Sequence, residues 1–86
     1  MKLNKEDIKI LKDWGFPNED MRQIEEATSK TTYKLNGKNI STKKAIEILG
    51  RKEYLSGIGR SAFHWSAARN NNNGETVFFD SSKLFE

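Results

Sequence analysis

The dipeptide Asn36-Gly37, set between short runs that alternate apolar and polar residues, constrains this chain's fold more than any other feature. A two-residue connection between antiparallel strands favours a type I′ turn, which needs positive φ at both central positions, and Asn-Gly supplies that readily. Closing the turn places Leu35 opposite Lys38 and Tyr33 opposite Ile40, the latter an aromatic to β-branched cross-strand pair. A lone hairpin is marginal in water, so the chain has to supply a further strand and an apolar cover. Residues 75–80 provide the strand, because Thr76, Val77, Phe78 and Phe79 all favour extended backbone.

The cover is helical. Asn4 is placed to cap a first helix, with Glu6 and Asp7 in its first turn and Leu3 and Ile8 spaced for a hydrophobic staple. Ile8, Leu11 and Trp14 recur at helical spacing until Gly15 and Pro17 stop them. Asn18 opens a second helix with an apolar stripe of Met21, Ile24 and Ala27, ended by the Ser/Thr run at 28–32. Ser41 or Thr42 caps a third, whose apolar positions are Ala45, Ile46, Ile48 and Leu49, with Gly50 just past its end. A fourth is expected over 51–68, where Tyr54, Leu55, Ile58, Ala62 and Trp65 keep the helical period. Gly57 and Gly59 inside it each cost about 1 kcal/mol against Ala, and mark a kink or a place where another backbone packs closely. Residues 70–74, four asparagines and a glycine, form a loop, and 81–86 a tail in which Leu84 and Phe85 tuck onto the body.

These elements predict one domain spanning 1–86 of the α+β class: four short helices packed on a small three-stranded antiparallel sheet, in the order α-α-β-β-α-α-β. Its core is expected to come from Trp14, Phe16, Tyr33, Tyr54, Phe63, Trp65, Phe78, Phe79 and Phe85, since aromatics carry much apolar area each. One of Phe78 and Phe79 must point away from the helices. Unless the tail covers it, that ring forms a patch suited to a partner.

With no cysteine in 86 residues, there is neither a disulfide nor a thiolate ligand. One histidine with scattered carboxylates gives no metal-ligand spacing, and no cofactor or small-molecule substrate is implied. No window approaches the ~20 apolar residues of a membrane span, and the N-terminus lacks the apolar stretch of a signal peptide. A cytoplasmic protein without a membrane partner is the expectation.

Several motifs bear on chemistry. His64 follows Ser61 by three residues, a helical spacing at which an imidazole could activate a hydroxyl. Nothing around them resembles a nucleophile elbow, and a packed or capping histidine explains the pair as well. Ser56-Gly57-Ile58-Gly59-Arg60 lacks the lysine and serine of a phosphate loop and the third glycine of a dinucleotide fingerprint. Glu19-Asp20 and Glu25-Glu26 are adjacent in sequence, so on a helix they diverge. A non-catalytic protein is the reading.

Charge distribution is more informative than the net +3. Residues 30–69 carry nine basic and two acidic side chains, while both flanking segments are acidic. Lys43, Lys44, Arg51, Lys52 and Arg60 lie on or beside two consecutive helices joined at Gly50, a helix-turn-helix-like arrangement and the candidate contact with DNA or RNA phosphates. Ser56, Arg60 and Asn70 are the few residues placed to read bases. Solubilising surface charge is the bland alternative. The functional rival is a protein-interaction module that uses an exposed aromatic at Phe78 or Phe79, or the acidic face of the second helix.

The run Asn36-Gly37-Lys38, then Ala45-Ile46, Leu49-Gly50-Arg51, Tyr54 to Ile58, Arg60 to Ala67 and Val77 to Phe85 resembles small uncharacterised proteins carried by integrative and conjugative elements of Gram-positive bacteria. The resemblance spans about two-thirds of the chain and implies a mobile-element setting, in which DNA-binding accessories and host-interaction proteins both occur. It carries over no site residues.

Overall fold

A computed structural model describes all of residues 1–86. The first helix, α1 (Lys5–Asp13), starts at the predicted Asn4 cap, which proves to be one half of a capping box: Asn4 accepts from the Asp7 amide at 2.8 Å, and the Asp7 carboxylate accepts from the Asn4 amide at 3.1 Å. A 3-10 turn over Asn18–Asp20 precedes α2 (Met21–Lys30). Strands β1 (Thr32–Leu35) and β2 (Lys38–Ile40) follow, then α3 (Thr42–Leu49), capped by Ser41, and α4 (Arg51–His64). Strands β3 (Ser66–Asn70) and β4 (Thr76–Asp80) and a 3-10 turn over Ser82–Phe85 complete the chain.

The hairpin forms in the predicted register, with Tyr33 opposite Ile40 and Leu35 opposite Lys38. Asn36 and Gly37 both take positive φ, 54° and 79°. β4 joins β1 on the other side, so Tyr33 also faces Phe79.

The sheet has four strands, not the expected three, in the order β2-β1-β4-β3. The extra strand comes from the end of the predicted fourth helix. That helix stops at His64, Trp65 takes φ 71°, and Ser66–Asn70 pairs antiparallel with β4. Ala-Ala-Arg reads as helix by propensity, but β4 without β3 would leave its second edge unpaired, and the ladder bonds prevail over local preference. Asn71 closes this second hairpin by accepting from the amides of Asn73 and Glu75.

Helices cover one face of the sheet only. α4 is the central helix: it packs on β3 and β4 and is itself flanked by α1, α2 and α3. Tyr54, Leu55, Ser56, Gly57, Ile58, Gly59, Ser61 and Ala62 are all buried along it. Its glycines mark close approach of rings, not of backbone. A Cβ on Gly57 would lie 2.4 Å from the Phe79 ring, and one on Gly59 2.7 Å from the Phe16 ring. Phe79 in turn contacts Tyr33 edge-on at 5.3 Å and Tyr54 at 5.8 Å between centroids, and the two tyrosine hydroxyls share a 2.7 Å hydrogen bond. Burial pushes both phenols up from their ordinary pKa.

The expected aromatic core is therefore only partly realised. Tyr33, Tyr54 and Phe79 are fully buried, Phe16 and Phe63 half-buried, and Trp14, Trp65, Phe78 and Phe85 exposed. Leu11, Ile24, Leu55, Ile58 and Val77 fill the remaining interior. No helix is long and apolar enough to cross a membrane.

Candidate nucleic-acid interface

The five basic residues singled out by sequence divide into three groups. Lys43 and Lys44 are exposed in the first turn of α3, where the Lys44 amide donates to Ser41 Oγ at 3.1 Å. Lys52 and Arg60 are exposed on α4, eight residues and about 12 Å apart along its axis. Arg51 is otherwise engaged. Its Nε and Nη2 donate to the two oxygens of Asp7, the second at 2.8 Å, and the Asp7 side chain is fully buried. This bidentate bond holds the Asp7 carboxyl below its ordinary pKa against the opposing effect of burial. Arg51 thus neutralises a buried charge and joins α1 to α4.

Lys52 and Arg60 each line a depression that Trp14 shares. α1 ends in a Schellman motif: the Phe16 amide donates to the Leu11 carbonyl at 3.0 Å and the Gly15 amide to the Lys12 carbonyl at 2.9 Å. Gly15 sits at φ 100°, a conformation that costs a side-chain-bearing residue. This turn directs Trp14 and Phe16 toward α4, where Phe16 rests on the bare backbone of Gly59. The Trp14 indole is 48% exposed and donates from Nε1 to the Lys52 carbonyl at 3.1 Å. It lines a hollow together with Ile10, Asp13 and Lys52. It also lines a separate cleft of about 280 Å³ whose remaining walls are Phe16, Arg60, Phe63 and His64, with Gly15 and Gly59.

The helix-turn-helix expectation is corrected by the burial of α4. A recognition helix has to present a polar face to the major groove, but Ser56, one of the proposed base readers, is buried within the fold. The joint between α3 and α4 is also a single residue, Gly50. Asn70 lies at the end of β3, and of the three proposed readers only Arg60 lines the cleft.

His64 and Ser61 are not brought together. His64 is exposed and faces the cleft, whereas Ser61 is completely buried and its hydroxyl is 2.7 Å from that of Ser81. Ser81 bonds in turn to Thr31, which donates to the Ala27 carbonyl at 2.7 Å. One hydrogen per hydroxyl makes this a directed chain, Ser61 to Ser81 to Thr31 to Ala27, that is structural. No three His, Asp or Glu side chains converge as metal ligands would.

Sequence reasoning placed Trp14 in the core and so missed it as a surface feature. The core takes Asp7 and Leu11, four residues apart, and Trp14 falls on the flank of that stripe. Gly15 directly after it was the available signal that the ring stands at a helix end.

On the opposite face, the sheet presents Thr32, Lys34, Asn39, Ser66, Ala68, Asn70, Phe78 and Asp80 to solvent. Phe78 is 55% exposed between its ladder neighbours Lys34 and Ala68. The tail does not cover it; Phe85 stacks instead on Trp65, centroids 5.6 Å apart. No protein-family model, no curated protein and no solved structure matches the chain.

Proposed function

We propose that the domain is a non-catalytic, cytoplasmic binding module whose partner is nucleic acid, held by phosphate contacts from Lys43, Lys44, Lys52 and Arg60. One observation carries the reading: all four are exposed and none belongs to an ion pair, the three ion pairs being those of Lys30, Arg51 and Arg69. Such cations give affinity and position without choosing a sequence. Arg51, committed to Asp7, is assigned to the fold. The resemblance to proteins of integrative and conjugative elements makes a mobile-element setting part of the same proposal.

The test is anisotropy of labelled DNA and RNA across a salt series. Four phosphate contacts to duplex DNA give a slope of log affinity on log salt of about −3 to −4. Lys44→Glu with Arg60→Glu weakens binding and flattens the slope in a protein of unchanged circular dichroism. Unchanged affinity in that folded variant overturns the reading.

A second reading rests on Phe78, whose ring stands uncovered in an inner strand of the sheet. Absence of nucleic-acid binding near 50 mM salt, where phosphate contacts are strong, favours a protein partner on that face.

A further inference from the structure

We infer that the cleft between Trp14 and Arg60 takes one unpaired base of a single strand, the base stacked on the Trp14 indole and an adjoining phosphate held by Arg60. The inference rests on the reading of the domain as a nucleic-acid binder, and it names which form of nucleic acid is preferred.

Trp14 is held in place, not merely displayed. The Schellman turn fixes its backbone and the bond from Nε1 to the Lys52 carbonyl fixes its ring. An exposed aromatic already ordered in the free protein loses little rotamer freedom when a second ring stacks on it. A base also needs no hydrogen-bond code to do so, because every base has a π-face.

The chemistry of the walls suits a planar anionic ligand. Trp14, Phe16 and Phe63 supply apolar surface, Arg60 and His64 supply donors, and no carboxylate lines the cleft. Neither Arg60 nor His64 has an ion-pair partner in the protein. Asp13 lines the separate hollow that shares Trp14, where it sits with Lys52. A phosphate is therefore favoured in the cleft that Arg60 lines.

Size and openness set the selectivity. At about 280 Å³ the cleft falls just under the range of drug-sized pockets, room for a single base and little more. A base within a duplex is stacked on both faces and paired along its edge, so entering the cleft requires extrusion at a cost a single strand does not incur. Trp14 is shared between the cleft that Arg60 lines and the hollow that Lys52 lines, so a strand passing Trp14 has a cation in each of the two adjoining depressions.

The experiment uses Trp65→Phe, which leaves Trp14 as the sole indole of the chain. Its emission is followed while a ten-residue thymidine strand, or the same strand paired with its complement, is titrated at low salt, with anisotropy reporting binding in parallel. The expected result is quenching of Trp14 by the single strand and tighter binding of that strand than of the duplex. Trp14→Ala then weakens single-strand binding about 5- to 100-fold, the cost of losing one base stack, and leaves duplex affinity within about twofold. Arg60→Gln, an exposed substitution that spares the ring, reduces single-strand affinity while the wild-type emission spectrum is retained. Saturable single-strand binding with unchanged Trp14 emission overturns the inference and leaves the broader reading standing. Failure of both strands to bind overturns the two together.

Discussion

Asp7 shows how much one side chain can carry in a small domain. It closes the capping box of α1 with Asn4 and receives the Arg51 guanidinium from α4. Removing one partner of a buried pair leaves the other charge uncompensated, at about 3–5 kcal/mol. The two partners are unequal here, since Arg51 is 40% exposed and Asp7 fully buried. Arg51→Met is therefore expected to cost about 3 kcal/mol in urea denaturation and Asp7→Asn distinctly less; equal losses would show that the carboxylate is not the strained partner. The pair also has a pH signature. Asp7 titrates below its ordinary 3.8 when folded, so its contribution is complete above that value and disappears as pH falls through the lowered folded pKa. In Arg51→Met the folded pKa rises and the acid limb of the stability curve moves to higher pH.

The α4 glycines make a second residue-scale comparison. Ala in a helix gains about 1 kcal/mol over Gly, yet at Gly57 the added methyl meets a ring enclosed by Tyr33 and Tyr54, whereas at Gly59 it meets the half-buried Phe16. Overpacking a fixed ring costs about 1–3 kcal/mol. Gly57→Ala should lower the melting temperature more than Gly59→Ala, and a reversed order would contradict this account of why both positions are small.

Among the elements, the junction between α4 and β3 separates what local sequence specifies from what it does not. Helical spacing of Tyr54, Leu55, Ile58 and Ala62 identifies α4 correctly, and the same period carried the expectation past its end to residue 68. Trp65, at φ 71°, is an unusual stop for a non-glycine residue, and of the order of 1–3 kcal/mol of strain has to be offset there. The offset comes from elements distant in sequence: the Ser81 amide donates to the Trp65 carbonyl at 2.7 Å and Phe85 stacks on its indole. The hydroxyl chain through Ser81 joins α2, α4 and the tail at the same corner. Ser81→Ala leaves Ser61 with only the distant Ile58 carbonyl, at 3.4 Å, as acceptor and Thr31 without its donor. It is expected to cost about 1–3 kcal/mol and to speed amide exchange in the tail first. Replacing the set together, as Thr31→Val, Ser61→Ala and Ser81→Ala, should cost less than the single change.

The whole molecule is a slab of 33 × 30 × 18 Å, helices on one face of the sheet and nothing on the other. That asymmetry leaves Phe78 in solvent beside Lys34, and the α1–α4 side leaves Trp14 in solvent beside Lys52 and Arg60. Phe78→Thr removes no core contact and should shift stability by no more than about 0.5 kcal/mol. If nucleic acid is the partner held at α3 and α4, its affinity is unchanged in this variant, and a large loss would move the interface to the sheet.

The sequence by itself determined the features whose causes are local: the Asn36-Gly37 turn and its register, the cap at Asn4, a cap at Ser41 or Thr42, the helix stop at Gly15, and the α+β class. Each depends on residues within a few positions of one another, so spacing and side-chain chemistry suffice to read it. The tertiary structure decided what depends on partners far along the chain. It recruited β3 to the free edge of β4, bound Arg51 to Asp7 forty-four residues away, buried the presumed reading face of α4, and sorted nine aromatics into core and surface. Helical and strand periods state which residues share a side, but which side is covered depends on how elements distant in sequence pack, and that is not written in any local spacing.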